Sequence, residues 1–222
     1  MPIDKDEARN SLLLKMYDQM FSDINRHILV VWQSIGVVIG AFALFSLVGK
    51  NELSLDLAVA IQILLCGWML AQLYDSAYWY NRNLVIIANI EREFLNTADL
   101  SLIHYYFGAH RKSNKMIMHL RIQRYLGVGI IVLVLAYHLH ERVLPGIHST
   151  IDHFEFLRSL PYFALLFIAL TVNYVRNDRG AALSEFLSNS PGREIENLGV
   201  TQGPGHAAER TILEKVWLAI KV

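Results

Sequence analysis

The sequence predicts an all-α integral membrane bundle: four transmembrane helices arranged as two hairpins, with a long cytoplasmic helical extension. Three observations predict it. Ile28 to Val48 is a run of 21 residues without a charge, and a second apolar run, Leu57 to Tyr74, follows the connector Gly49 to Ser54. Two further uncharged runs, 16 residues from Tyr125 to His140 and 17 from Ser159 to Val175, lie at the short limit for a span. Basic residues are divided unevenly among the segments between these runs. Seventeen Lys and Arg lie before the first run, in the central segment or in the tail, against three (Lys50, Arg142, Arg158) in the two connectors. Moving cations across a bilayer is unfavourable, so both termini and the central segment are expected on the cytoplasmic side of a plasma (inner) membrane.

The apolar fraction, 54%, and the mean hydropathy, +0.32, are only a little above those of a soluble domain, so the clustering carries the inference. Twenty acidic residues balance twenty basic ones, and this gives no reason to expect a nucleic-acid partner. The one cysteine, Cys66, lies within the second run, so neither an intrachain disulfide nor a cysteine metal site can form. A cleavable signal peptide is not expected, because 27 largely polar residues precede a first run longer than a signal core.

Residues 1–27 read as an amphipathic helix whose stripe is Leu13, Met16, Tyr17, Met20 and Ile24. This helix either lies on the membrane surface or a partner, or simply prolongs the first span. Residues 28–80 form the first hairpin. The 23 uncharged residues between Arg26 and Lys50 would rise about 34 Å as a helix, enough for a ~30 Å hydrocarbon core. Gly36 and Gly40 share one face and permit close approach of another helix, internal or from a second subunit. No glycine or proline interrupts Met69 to Phe107, so one helix can run from about Leu55 to Phe94 and leave the bilayer. Its mostly apolar face of Leu84, Ile87, Ile90, Glu91 and Phe94 then needs a cytoplasmic partner, from this chain or another copy.

Residues 81–124 form the cytoplasmic segment, with a break at Asn96 to Ser101 and a further helix from about Ser113. Residues 125–175 form the second hairpin, turning near Pro145-Gly146, with Pro161 in the first turn of the fourth run. Residues 176–222 form the tail. Ser188 to His206 reads as a linker, and Ala207 to Val222 as a docking or interfacial helix with Ile212, Leu213, Val216, Trp217 and Ile220 on one side.

Three groups of residues are candidates for function. Gln33, Gln72, Asp75 and Asn173 fall at matching depths near the cytoplasmic side. Polar groups in lipid are expensive unless paired, so an inner-leaflet cluster can be an ion vestibule or, more simply, interhelical glue. Arg111, Lys112, Lys115, Arg121 and Arg124 form a basic cytoplasmic patch that can meet anionic lipid heads. On the outer side, His138, His140, His148 and His153 alternate with carboxylates, the residue types that suit zinc. Their spacing matches no recognised metal site and HExxH is absent, so a solvated loop is the stronger reading. G-x-S-x-G, the Walker pattern and CxxC are missing, so neither an enzyme nor a cofactor is expected. The expected partners are the lipid bilayer and a protein, either a second copy or another chain.

The segment Tyr78-Trp79-Tyr80-Asn81-Arg82-Asn83-Leu84, followed by Ile90-Glu91, resembles uncharacterised bacterial multi-pass membrane proteins. From about residue 10 to 95 the layout also resembles SLATT-type effectors, with an N-terminal helix, a membrane hairpin and a cytosolic helix. That resemblance implies a pore-forming effector, and the expected function is an oligomeric membrane effector or channel-like subunit. The alternatives are a small metal or solute transporter using the outer histidines, and a membrane accessory or scaffold subunit.

Overall fold

A computed structural model describes residues 5–96, 98–99, 102–103, 113–146 and 155–190. Among these, every regular element is helical. Helix α1 spans Lys5–Gly40, tightens into a 3₁₀ turn at Ala41–Ala43, and continues as α2, Leu44–Gly49. Helix α3 spans Leu55–Phe94, α4 Met118–His138 and α5 Phe156–Ser188. Four helices, counting α1 with α2 as one, are long and apolar enough to cross a membrane.

The helix of residues 5–49 passes through residue 27 without a break, so the amphipathic segment and the first span are one rod. Its 45 residues rise to about 67 Å. The 3₁₀ turn frees backbone carbonyls of the preceding turn, and Gln62 Nε2 of α3 donates to one of them, Val38 O, at 3.0 Å. The reversal at Lys50 to Ser54 uses Asn51 at φ 60°, a left-handed conformation that asparagine tolerates. Ser54 then caps α3, its hydroxyl accepting from Leu57 N at 3.2 Å. The 40 residues of α3 rise to about 60 Å, twice a hydrocarbon core.

Helix α3 is the centre of the molecule. Over its most apolar window 56% of residues are buried, against 22%, 28% and 17% for the other three spans. The rod of α1 runs antiparallel to it along the whole length, from Val38 beside Gln62 to Arg9 beside Glu93. Ile24 of α1 packs with Leu84 and Ile87, so this part of the apolar face of the α3 extension is covered from within the chain, while Phe94 stays exposed. Helix α4 is also antiparallel to α3, with His138 beside Asp56 and Lys115, just before α4, beside Asn81. Helix α5 runs parallel to α3, with Ile168 beside Gly67, Arg179 beside Asp75 and Ser190 beside Asn89. Both α4 and α5 meet α3 far more than they meet each other, so residues 125–175 do not form a self-contained pair.

Several expected boundaries move. The third long helix starts at Met118 rather than near Ser113, and residues 114–117 are irregular. Helix α5 continues through Arg176 to Ser188, and Leu183 in this continuation is fully buried. Because α5 starts at Phe156, Pro161 lies beyond its first turn and removes a bond to the Leu157 carbonyl. The linker and terminal helix read at 191–222 lie outside the described residues.

Away from α3, the outer helices expose Trp32, Val37, Ile39, Val132, Leu133, Phe163, Phe167 and Leu170. Such a belt is unfavourable in water and suited to lipid.

Candidate functional site

At the end of the bundle where α3 begins, polar side chains from three helices converge in an otherwise apolar setting. Asp56 occupies the first turn of α3 and is 1% exposed. His138 closes α4 and is 0% exposed. After His138 the helix widens into a π-helical turn, Leu139–Val143, which carries Arg142. Such widened turns recur at functional sites because they re-aim side chains. Tyr162 and Glu155 come from α5 and the residue before it.

Asp56 holds this group together. His138 Nε2 lies 2.8 Å from Asp56 Oδ1, and Arg142 donates from Nε to Oδ1 at 3.2 Å and from Nη2 to Oδ2 at 3.1 Å. A carboxylate only accepts, so in the neutral imidazole Nε2 carries the proton and Nδ1 accepts from the Tyr162 hydroxyl at 3.1 Å. Arg142 Nη2 also reaches Glu155 Oε2 at 3.3 Å, and Arg158 Nε donates to the same oxygen at 2.6 Å. With His138 neutral the cluster is balanced: two carboxylates and two guanidiniums. A buried charge is tolerated only when paired and hydrogen-bonded, and Asp56 meets both conditions. The cluster joins α3, α4 and α5, which makes it a polar clasp on one end of the bundle.

Both ring nitrogens of His138 are engaged by protein groups, so the ring offers no lone pair to a metal. His140 is exposed and pairs with Glu141 Oε1 at 2.9 Å. His148 and His153 lie outside the described residues. Among the described residues no group of three metal-ligating side chains converges.

The inner polar residues are not gathered. Gln33 and Asn173 are exposed on α1 and α5, Gln72 is half-buried, and no hydrogen bond joins any of the four. Asp75 instead faces Arg179 Nε at 3.6 Å, and Arg179 Nη2 pairs with Asp178 Oδ2 at 2.9 Å. Of the basic patch, Arg111 and Lys112 lie outside the described residues. Lys115 is exposed, with its carbonyl accepting from Asn81 Nδ2, Arg121 donates to Met116 O, and Arg124 lies over the Tyr125 ring.

Gly36 and Gly40 face open space, with nothing near where a Cβ would stand. Close packing belongs to two other glycines. A methyl group on Gly67 would sit inside the side chain of Ile168, and one on Gly127 would meet the Met69 methyl and Leu70. Neither has a second glycine four residues away, so no spacing marked them. The clasp did leave a trace, since Asp56 and His138 are polar residues at the ends of apolar runs and Arg142 follows His138 by one helical turn. Tyr162 left none.

No family model, curated protein or solved structure matches this chain.

Proposed function

We propose that the protein is a non-catalytic subunit of an oligomeric membrane assembly, an effector or channel-like component of a bacterial plasma membrane with both termini in the cytoplasm. The observation that carries this reading is the uncovered face of α1. Gln33, Gly36 and Gly40 lie along one stripe of a span, and no side chain among the described residues closes over the glycines. An amide directed into lipid is unfavourable without a partner, and two glycines four residues apart let a second backbone come close enough to supply one. A second copy of the chain meets both requirements.

The length of the rods supports the functional half. Helices α1 and α3 stay paired beyond any plausible membrane thickness, with Tyr17 Oη donating to Glu91 Oε1 at 3.2 Å and Arg9 bound to Glu93 at 2.7 Å. An event at the cytoplasmic tip would therefore be transmitted along a stiff lever to the α1 face. Ion efflux from liposomes holding the purified chain, together with its mass in detergent, tests the proposal. Wild type is expected to be oligomeric and to pass ions, and Gly36→Leu with Gly40→Leu is expected to be monomeric and tight. A monomeric wild type that never leaks, with a stoichiometric companion protein on purification, would instead indicate a scaffold subunit.

A further inference from the structure

At the opposite end from the clasp, planar groups from three helices stack. The His27 ring of α1 lies on Trp79 of α3, 5.4 Å between centroids and 9° between planes. The Arg82 guanidinium lies 5.1 Å from the Trp79 ring centroid and 5.4 Å from that of Phe186 on α5. Arg82 is half-buried there. A ring face attracts the cation but accepts no in-plane hydrogen bond, so the five N–H donors of the guanidinium are left to other acceptors.

No carboxylate among the described residues takes them. Arg9, Arg26, Arg142, Arg158 and Arg179 each have one within ion-pair distance; Arg82, like Arg92 and Arg176, has none among the described residues, and it is set apart by the two rings that hold it. Trp79, against Arg82, and its chain neighbours Tyr78 and Tyr80 are the aromatic types that settle at the headgroup level. Arg124 on α4, over Tyr125 at 5.2 Å, adds a second cation without a carboxylate partner among the described residues.

We propose that Arg82, positioned by Trp79 and Phe186, binds the phosphate of an anionic phospholipid headgroup in the leaflet at this end of the bundle. A planar fork of donors matches phosphate oxygens two at a time, and partial burial against the rings strengthens the interaction. The stack joins α1, α3 and α5, so a bound headgroup would hold those three helices together. The inference rests on the membrane-embedded reading of the chain and is independent of oligomerisation or ion flux.

The test is lipid retention by native mass spectrometry, with thermal unfolding in detergent, for the full chain with phosphatidylglycerol, phosphatidylcholine or inorganic phosphate added. Wild type is expected to retain phosphatidylglycerol over phosphatidylcholine and to unfold at a higher temperature with it, while inorganic phosphate at equal concentration has no effect. Arg82→Gln is expected to lower phosphatidylglycerol retention about tenfold, the loss of one charge-assisted donor set. Arg179→Gln, whose cation is already paired, is expected to keep it. If Arg82→Gln fails to fold, Arg82→Lys keeps the charge without the fork and is expected to fall between the two. Equal retention of both lipids, equal losses in the Arg82 and Arg179 variants, or a shift with phosphate alone would overturn the site. Lost lipid selectivity with ion flux intact removes this site only, and selectivity without flux removes only the channel reading.

Discussion

Asp56 shows how much a single side chain can matter in an apolar bundle. It is the shared acceptor for His138 and Arg142, and it is almost wholly removed from solvent. Removing the carboxylate takes one acceptor from Arg142, which is 36% exposed and keeps Glu155, and takes its partner from the buried His138 Nε2, together a cost of about 1–3 kcal/mol. Asp56→Asn is therefore expected to lower the detergent melting temperature by a few degrees, because one amide oxygen cannot replace the two carboxylate oxygens that His138 and Arg142 share. Asp56→Leu combined with Arg142→Met removes both charges and is expected to recover much of that loss. A double variant no more stable than Asp56→Asn would show that the clasp does not act as a unit. The charge pattern revealed none of this pairing, because Asp56 and Arg142 stand 86 residues apart and nothing local links them.

Among the elements, α3 was the most legible and its surroundings the least. The expected helix from about Leu55 to Phe94 is the observed one, since Ser54 supplies a cap and no glycine or proline interrupts the later half. The apolar face of its extension called for a partner, and at Leu84 and Ile87 α1 supplies it through Ile24, Tyr17 and Met20, while Phe94 stays exposed. Helix α5 reaches α3 through the notch at Gly67, a contact hydropathy does not mark. Gly67→Val is expected to cost about 1–3 kcal/mol by overpacking against Ile168, read as a lower unfolding midpoint. The matched change Gly36→Val, on open surface, is expected to leave the midpoint of the isolated chain unchanged. Equal effects of the two would mean that α5 does not seat on α3 as described.

For the molecule as a whole, the decisive property is the sidedness of charge. Lys50, Arg142 and Arg158 lie toward the clasp end, and the other basic residues among the described ones lie toward the Arg82 end. Activity reporters fused after Glu52 and Gly146 are expected to report an outside location, and one fused at Ser113 a cytoplasmic one. The opposite pattern would invert the bundle, moving the clasp to the cytoplasm and the headgroup site to the outer leaflet. Monodisperse behaviour without detergent would remove the membrane reading altogether, because Trp32, Phe163, Phe167 and Leu170 would then face water.

The sequence by itself determined that the chain is helical, how many segments are long and apolar enough to span, and where the basic residues fall. These follow from local period, run length and charge, each readable within a few dozen residues. Only the tertiary structure decided that α3 is the centre, that Gly67 and Gly127 pack while Gly36 and Gly40 do not, and that Asp56 gathers His138, Arg142 and, through His138, Tyr162. The physical reason is that lipid and the interior of a helical bundle are both apolar. Hydropathy therefore cannot separate a face turned to lipid from one turned to another helix, and side chains far apart in the chain find each other only when the helices pack.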